Sequence, residues 1–541
     1  MRIDPMKLNK QSKLFSGYRS GDELIQNKFD YFPFEQKTYE LRALDIKERE
    51  YNREGLAAVL HEQNSQWGAP AATNQNIDRL KDENSVVVIG GQQAGLMTGP
   101  LYTIHKIISI VNFARQQEEK LNIPVVPVFW IAGEDHDFDE INHIMVKEAN
   151  RMKKHKIRQK SYQKKSASAL QIDQVYAAEW LDRIFEKQVE TSHTKTLFNT
   201  FKRILESSDT YVDFFARVIF QLFDKQGIVL VDSGSPLLRK LESEHFLSMV
   251  ENQPAISQGV HQAVKQSQTE GYPIELEAEE DNAHLFYHKN GERILLFRRA
   301  GDVWAGKQNE CEFTTEELEQ IAACHPEQLS NNVVTRPLMQ ELLFPSLAFI
   351  GGPGEISYWS VLKPAFQALD LKMPPVLPRL SFTLAGRTTE KVLQNFSLPV
   401  EQVVREGISA VKVNWLASQS SPPIEQLIDQ VKYTVEAAHL PLRKAAKDIR
   451  ADLGEVAEKN LFYLFQDLSY LEDRMTKAVE EKYAKTIHAF DNLEIVLHPE
   501  GGLQERNWNI IPWINEYGID FINQLVEGSY DYQEEHYIAF L

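Results

Sequence analysis

Short runs of continuously apolar residues recur along the chain, and each is followed by glycines or turn residues and then by a helical pattern. The first is Val86-Val87-Val88-Ile89, followed by Gly90-Gly91-Gln92-Gln93-Ala94-Gly95 and, after Gly99-Pro100, a helix opening at Leu101. The second runs from Val125 to Ile131 and leads into Ala132-Gly133-Glu134-Asp135-His136-Asp137. The third is Ile228-Val229-Leu230-Val231 with Asp232-Ser233-Gly234 behind it, and the fourth is Leu347-Ala348-Phe349-Ile350 before Gly351-Gly352-Pro353-Gly354-Glu355. Apolar runs without alternation predict strands buried on both faces of a parallel sheet. The predicted class is therefore α/β, with a Rossmann-like, doubly wound parallel-sheet core. In such sheets ligands lie beyond the carboxyl ends of the strands, where these loops fall.

The pattern changes between these runs. Residues 1–80 are polar and mixed, with one helix predicted from Leu41 to Gln63. Two segments, about 141–225 and 251–335, interrupt the strand–helix alternation as insertions. In the second, Ala283–His288 and Arg293–Arg298 flank Lys289-Asn290-Gly291-Glu292, which predicts a β-hairpin on an Asn-Gly turn. Over 424–490 apolar residues fall at Leu442, Ala446, Ile449, Leu453 and Val456, and again at Leu461, Leu464, Leu468, Leu471 and Met475. This three–four spacing predicts a helical arm with coiled-coil character, and the break in phase between the series predicts a stutter or a change of partner. A seam of that length needs a partner helix, so a homodimer is expected. The domains expected are a core over 1–382, a helical coiled-coil domain over 383–497, and a segment over 498–541 that packs back on the core.

Composition narrows the function classes. A chain of 541 residues predicts more than one domain. The net charge of −18 disfavours nucleic acid as a partner. Against that field, Lys147–Lys165 carries nine Lys/Arg and one Glu, read as a solvated surface hairpin or a local anion patch. The two cysteines, Cys311 and Cys324, offer no disulfide framework or CxxC pair, which fits a reducing compartment and argues against structural zinc. Neither a signal-peptide core nor a membrane-length apolar stretch is visible, so the expected location is the cytoplasm, away from membranes.

Four loops carry candidate chemistry. Gly90, Gly91, Thr98 and Gly99 let the backbone approach a phosphate at the start of the following helix, with Gln92 and His105 nearby; the loop is neither GxGxxG nor a Walker motif. Asp135, His136 and Asp137 form a dense acid–imidazole cluster able to bind an amine or act as base, although a helix N-cap explains part of it. Arg336 and Arg379 suit a carboxylate or phosphate. Glu355 and Tyr358 are candidates to line a small-molecule pocket, and Arg506 with Trp508 could hold a base or dock a domain.

Taken together, Gly91-Gln92-Gln93, Gly99-Pro100-Leu101-Tyr102, Glu134-Asp135-His136-Asp137-Phe138, Gly352-Pro353-Gly354-Glu355 and His498-Pro499-Glu500-Gly501 with Gln504-Glu505-Arg506 resemble the bacillithiol biosynthesis cysteine-adding enzymes, in order and over almost the whole length. The resemblance implies a Rossmann-type core with two connecting insertions and a coiled-coil domain supporting dimerisation. It implies a ligase that forms an amide bond between L-cysteine and glucosaminyl-malate, with ATP as donor and Mg²⁺ beside it. It also implies that Asp135, His136, Asp137 and His105 are catalytic. Gln92, Arg336, Glu355, Tyr358 and Arg379 would bind substrate, and Gly90, Gly91, Thr98, Gly99, Arg506 and Trp508 the nucleotide. A likeness to class I nucleotidyl-transferring ligases is more distant: one histidine, His105, stands where that group has two, and no KMSKS-like loop is present. The alternatives are a nucleotidyltransferase acting on another small metabolite, and a nucleotide-binding coiled-coil scaffold.

Overall fold

The computed structural model describes residues 1–9, 11–160, 165–420 and 422–541. The four apolar runs become strands Val86–Gln92, Val125–Ile131, Val229–Asp232 and Ser346–Gly351. A fifth strand, Val376–Pro378, which the periodicity did not single out, joins them. All neighbours pair in parallel, in the spatial order Val376, Ser346, Val86, Val125, Val229. Numbered along the chain, that order is 5-4-1-2-3, which from the other edge is 3-2-1-4-5, five of the six strands of the Rossmann order. The order reverses between the Val86 and Ser346 strands, so a crevice opens between the loops that follow Gln92 and Gly351. Gly90 and Gly91 permit the close strand packing: a Cβ on Gly90 would lie 2.8 Å from the Ile350 carbonyl oxygen, and one on Gly91 2.5 Å from that of Trp130. Both glycines thus serve the packing of the sheet.

The chain divides into two compact units. One comprises residues 1–148, 152–384 and 504–541, and the other 149–151 and 385–503. In the first unit the C-terminal strand His536–Phe540 pairs with Arg2–Met6, and the three-stranded sheet is completed by Phe382–Ala385. The single helix expected over Leu41–Gln63 is two, Gln36–Lys47 and Arg53–Gln66, the second capped by the Asn52 side chain. The hairpin of the second insertion forms as expected: Asn282–Lys289 and Glu292–Arg299 pair, with Asn290 and Gly291 both at positive φ, and a five-stranded antiparallel sheet grows around it. Val333 precedes the helix Thr335–Leu343, which carries Arg336 in its first turn. In the basic run, strands His143–Glu148 and Arg151–Lys156 pair, Glu148 collects Lys153, His155 and Lys187, and residues 161–164 lie outside the described residues.

The second unit is helical. Ile424–Ile449 and Ala451–Lys482 run antiparallel, matched by Lys432–Glu472 at 3.4 Å, His439–Asn460 at 3.1 Å and Arg443–Glu458 at 2.9 Å. The reversal is at Arg450, whose φ of −166° and ψ of 136° are extended. It falls inside the first apolar series, between Ile449 and Leu453. The change of direction thus lies within that series and not at the break between the two series, and the two helices of the pair belong to the same chain.

Candidate functional site

At the carboxyl ends of the parallel strands lies a cavity of about 650 Å³. The ends of four of the five strands contribute to it. Gln92 and Gln93 follow the Val86 strand, Glu134, Asp135 and His136 follow the Val125 strand, Gly352–Glu355 follow the Ser346 strand, and Arg379 follows the Val376 strand. The insertion adds Phe286 and Arg293, the helix Thr335–Leu343 adds Arg336, and the C-terminal segment adds Arg506.

Asp135 is an anchored anion. Its Oδ2 accepts from Gln93 Nε2 at 2.5 Å, and its Oδ1 from the backbone N–H of His136 at 2.7 Å. Burial raises its pKa, but the Gln93 amide, the Arg293 charge and those backbone donors outweigh burial and hold the carboxyl below its usual range. A group that stays ionised binds a cationic amine well and abstracts protons poorly. His136 stands next to it, half-buried, with its ring 6.4 Å from that of Phe286. Among the described residues bordering the cavity it is the one imidazole. Asp137 is separate: it is exposed, and its side chain caps the short helix Phe138–Ile141 through the Asp139 N–H. The cap reading therefore holds for Asp137, and its expected catalytic role is withdrawn.

The phosphate cradle expected between Gly90 and His105 is also corrected. The first N–H of helix Leu101–Leu121 donates to the Trp508 carbonyl at 2.8 Å. Thr98 is buried at positive φ, away from the main cavity, and Asn509 Nδ2 ties the loop by donating to the carbonyls of Met97 and Gly99 at 2.8 and 2.6 Å. His105 is 1% exposed, its Nδ1 pairs with Glu505 Oε2 at 2.9 Å, and it borders neither the main cavity nor the cavity beside Gly99. Trp508 is buried with its ring 5.5 Å from Trp513, a docking contact. Gly99 borders a side cavity of about 350 Å³ that adjoins the main one and shares Gln92, Gln93, Tyr102 and Arg506 with it.

Arg379 reaches the main cavity, yet its fork is spent. Nη1 and Nη2 donate to the two carboxylate oxygens of Glu505 at 2.7 and 2.6 Å. Burial raises the Glu505 pKa, while Arg379 and His105 together hold it well below the ordinary value. This His105–Glu505–Arg379 cluster is a buried structural pin, and the substrate role expected of Arg379 is withdrawn. Arg336 and Tyr358 are hydrogen-bonded to each other on the cavity wall.

Sequence reasoning left Lys106 without a role. It lies one residue from His105, hence about 100° round the helix, and so faces the strand ends instead of Glu505. Its ammonium is 1% exposed and donates to the Gly91 carbonyl at 2.6 Å, Gln92 Oε1 at 3.1 Å and Glu355 Oε2 at 2.5 Å. Glu355 also accepts from the Gly352 N–H at 2.8 Å. Lys106 thus clamps together the two loops on either side of the crevice. A buried lysine in an otherwise apolar stretch was the available signal. Arg293 and Phe286 were likewise missed, because a hairpin of an insertion gives no hint of where it docks.

A family model described as "Bacillithiol biosynthesis BshC, N-terminal Rossmann-like domain" matches residues 1–380, and one described as "Bacillithiol biosynthesis BshC, C-terminal coiled-coil domain" matches residues 382–541. Curated relatives called "Putative cysteine ligase BshC" are 41% identical over 547 residues in Oceanobacillus iheyensis and 37% over 539 in Bacillus licheniformis, covering 100% of both chains in each case. The relative of that name in Bacillus cereus strain B4264 is 39% identical over 528 residues, 98% of each chain. Among solved structures, one described as "putative arginyl t-RNA synthetase from Campylobacter jejuni" covers 88% of this chain and 98% of its own at 11% identity and a TM-score of 0.22, a superposition too poor to transfer anything. Matched from end to end by both models and by full-length relatives, the chain belongs to the BshC family of bacillithiol biosynthesis.

Proposed function

We propose that this chain is the cysteine ligase that joins L-cysteine, through its carboxyl group, to the amine of glucosaminyl-malate, and so completes bacillithiol. The relatives' printed name supports the cysteine ligase reading. The observation that carries the chemistry is a single cavity at the strand-order reversal that holds an anchored anion, Asp135, an imidazole, His136, and a guanidinium, Arg336. A carboxylate and an amine do not condense in water unless the carboxylate first gains a leaving group and the amine loses a proton. Holding both partners in one site converts the bimolecular attack into an effectively unimolecular one. On this reading Asp135 orients the amine, His136 takes its proton, and Arg336 binds a carboxylate of the malyl group. Tyr358 and the Lys106–Glu355 pair keep Arg336, Gln92 and the glycine turn in place.

ATP is the proposed donor of the leaving group. The residues that fit it are those of the side cavity: Gly99, Tyr102 and Arg506, an exposed cation shared with the main cavity. Mg²⁺ would have to come with the nucleotide, because no cluster of three His, Cys, Asp or Glu among the described residues is arranged to hold a metal ion. No helix of the described residues is long and apolar enough to cross a membrane, and with both cysteines free the reading includes a cytoplasmic site. It also includes a homodimer through the helical arm.

The test is mass spectrometry of purified protein with cysteine, glucosaminyl-malate and Mg-ATP, omitting each in turn. Bacillithiol only in the full mixture supports the reading. Pyrophosphate release with another metabolite, and none with cysteine, would replace it with the nucleotidyltransferase alternative.

A further inference from the structure

Besides the exposed Arg506, two guanidinium groups on the cavity wall, both half-buried, have no carboxylate partner among the described residues. Arg293, from the inserted hairpin, donates from Nε to Ser330 Oγ at 3.0 Å and from Nη2 to the Asn331 carbonyl, and lies 3.9 Å over the Phe286 ring. Its Nη1 edge has no hydrogen-bond partner among the described residues. Arg336 donates from Nη2 to the Tyr358 hydroxyl, and its Nε is buried without a partner among the described residues. Of the carboxylates on the same wall, Glu134 pairs with Arg239 at 2.5 Å, Asp135 accepts from Gln93 and Glu355 from Lys106, while Glu277 is exposed. Buried cations are ordinarily paired. Both of these are instead fixed in orientation by neutral groups, with donors left over. A guanidinium held this way is pre-organised for an oxyanion.

We infer that Arg293 and Arg336 together form a dianion site, taking two oxyanion groups of one ligand, and that Arg293 supplies the second cation that Arg379 cannot. The inference rests on the proposed function only in its choice of ligand: the two malyl carboxylates of glucosaminyl-malate are the expected occupants, and nucleotide phosphates offer the same chemistry. The Phe286 ring and the Ser330 and Asn331 oxygens hold the Arg293 fork in position, so the inserted sheet becomes part of the binding site.

The test is calorimetric binding to the full chain of glucosaminyl-malate, free malate, a glucosaminyl ligand lacking one malyl carboxylate, and ATP, for wild type, Arg293→Gln, Arg293→Lys and Arg336→Gln. Circular dichroism checks that each variant is folded. For a dicarboxylate, both Gln variants weaken glucosaminyl-malate about 10–100-fold and leave ATP unchanged. Removing one carboxylate from the ligand costs the wild type a similar factor and Arg293→Gln less than about 3-fold. Arg293→Lys, which keeps the charge and loses the fork, falls between. Weakening of ATP alone would keep the dianion site and assign it to phosphate. Malate binding that both Gln variants lose, with no amide product from the wild type, would keep the site and sink the ligase reading. Folded variants that bind all four ligands as the wild type does overturn the inference.

Discussion

His136 and Asp137 are neighbours in sequence, but one borders the cavity and the other caps a helix in solvent. If His136 takes the proton from the amine, His136→Ala lowers kcat about 10²-fold or more. Asp137→Ala should stay within about 3-fold of wild type and cost about 1 kcal/mol of stability through the lost cap. Steady-state kinetics on both variants separates the roles, and equal losses would contradict them. Glu505 makes a different prediction. Its partners Arg379 and His105 are buried with it, so Glu505→Gln strands a buried guanidinium and costs about 3–5 kcal/mol, read as a fall in Tm without a specific change in KM. Because the folded pKa of Glu505 lies below its unfolded value, its contribution is complete at neutral pH and is lost as pH falls below about 5. The dense acidic loop and the glycine turns were legible in the sequence because they follow apolar runs. Which face of the helix each of His105 and Lys106 occupies was not, since one residue of rotation separates a buried pin from a clamp on the crevice.

Strands and helices were more legible than the contacts they make. The four apolar runs that became core strands had no polar alternation to confuse them, and the Asn-Gly turn forces positive φ at two residues and so marks its hairpin. The strand Val376–Pro378 was hidden because three residues carry no period, and the break between Gln36–Lys47 and Arg53–Gln66 lacks glycine or proline to announce it. The C-terminal strand His536–Phe540 carries a testable consequence. Inside it His536 is 0% exposed, bridging Ser381 Oγ and Thr383 Oγ1 at 2.8 Å each. Burial pushes its pKa down from 6.5 to about 4. Between those pH values the unfolded chain holds a proton that the folded chain lacks, so stability falls as pH drops, by at most about 1.4 kcal/mol per pH unit from this group. His284, also lowered to about 4, adds a second such group. Asp232 and Glu242, pushed up by burial to about 6 and about 7, act in the opposite sense. Urea unfolding of wild type and His536→Gln across this range isolates the effect. The variant should be less stable at pH 7 and show a shallower decline below pH 6.5; an identical slope would remove His536 from the account.

The helical arm shows what the pattern of a whole molecule leaves open. Heptad-like spacing demands that an apolar seam be covered, but it does not say by which chain. Here the first cover is internal, since Ile424–Ile449 folds back on Ala451–Lys482, and Ile428 and Leu461 are buried in the second unit. That pairing leaves much of the apolar surface bare. Leu442 is 64% exposed, Ile449 76%, Val456 62% and Leu471 50%, with Leu427, Val431, Phe462 and Leu464 exposed as well. Exposed apolar side chains in this number on a two-helix hairpin mark an interaction site or an aggregation liability. A second copy of the arm is the cover proposed here, because the same surface on each copy gives a closed two-fold contact. Replacing side chains that are already exposed leaves the internal pairing intact, so Leu442→Glu with Val456→Glu should change assembly without unfolding the hairpin. Sedimentation velocity is expected to show a dimer for the wild type and a monomer for the double variant, at unchanged helical content by circular dichroism. A chain lacking residues 424–482 should also sediment as a monomer. A dimer that survives both changes would place the interface elsewhere. A wild-type monomer would mean that this apolar surface serves some other partner.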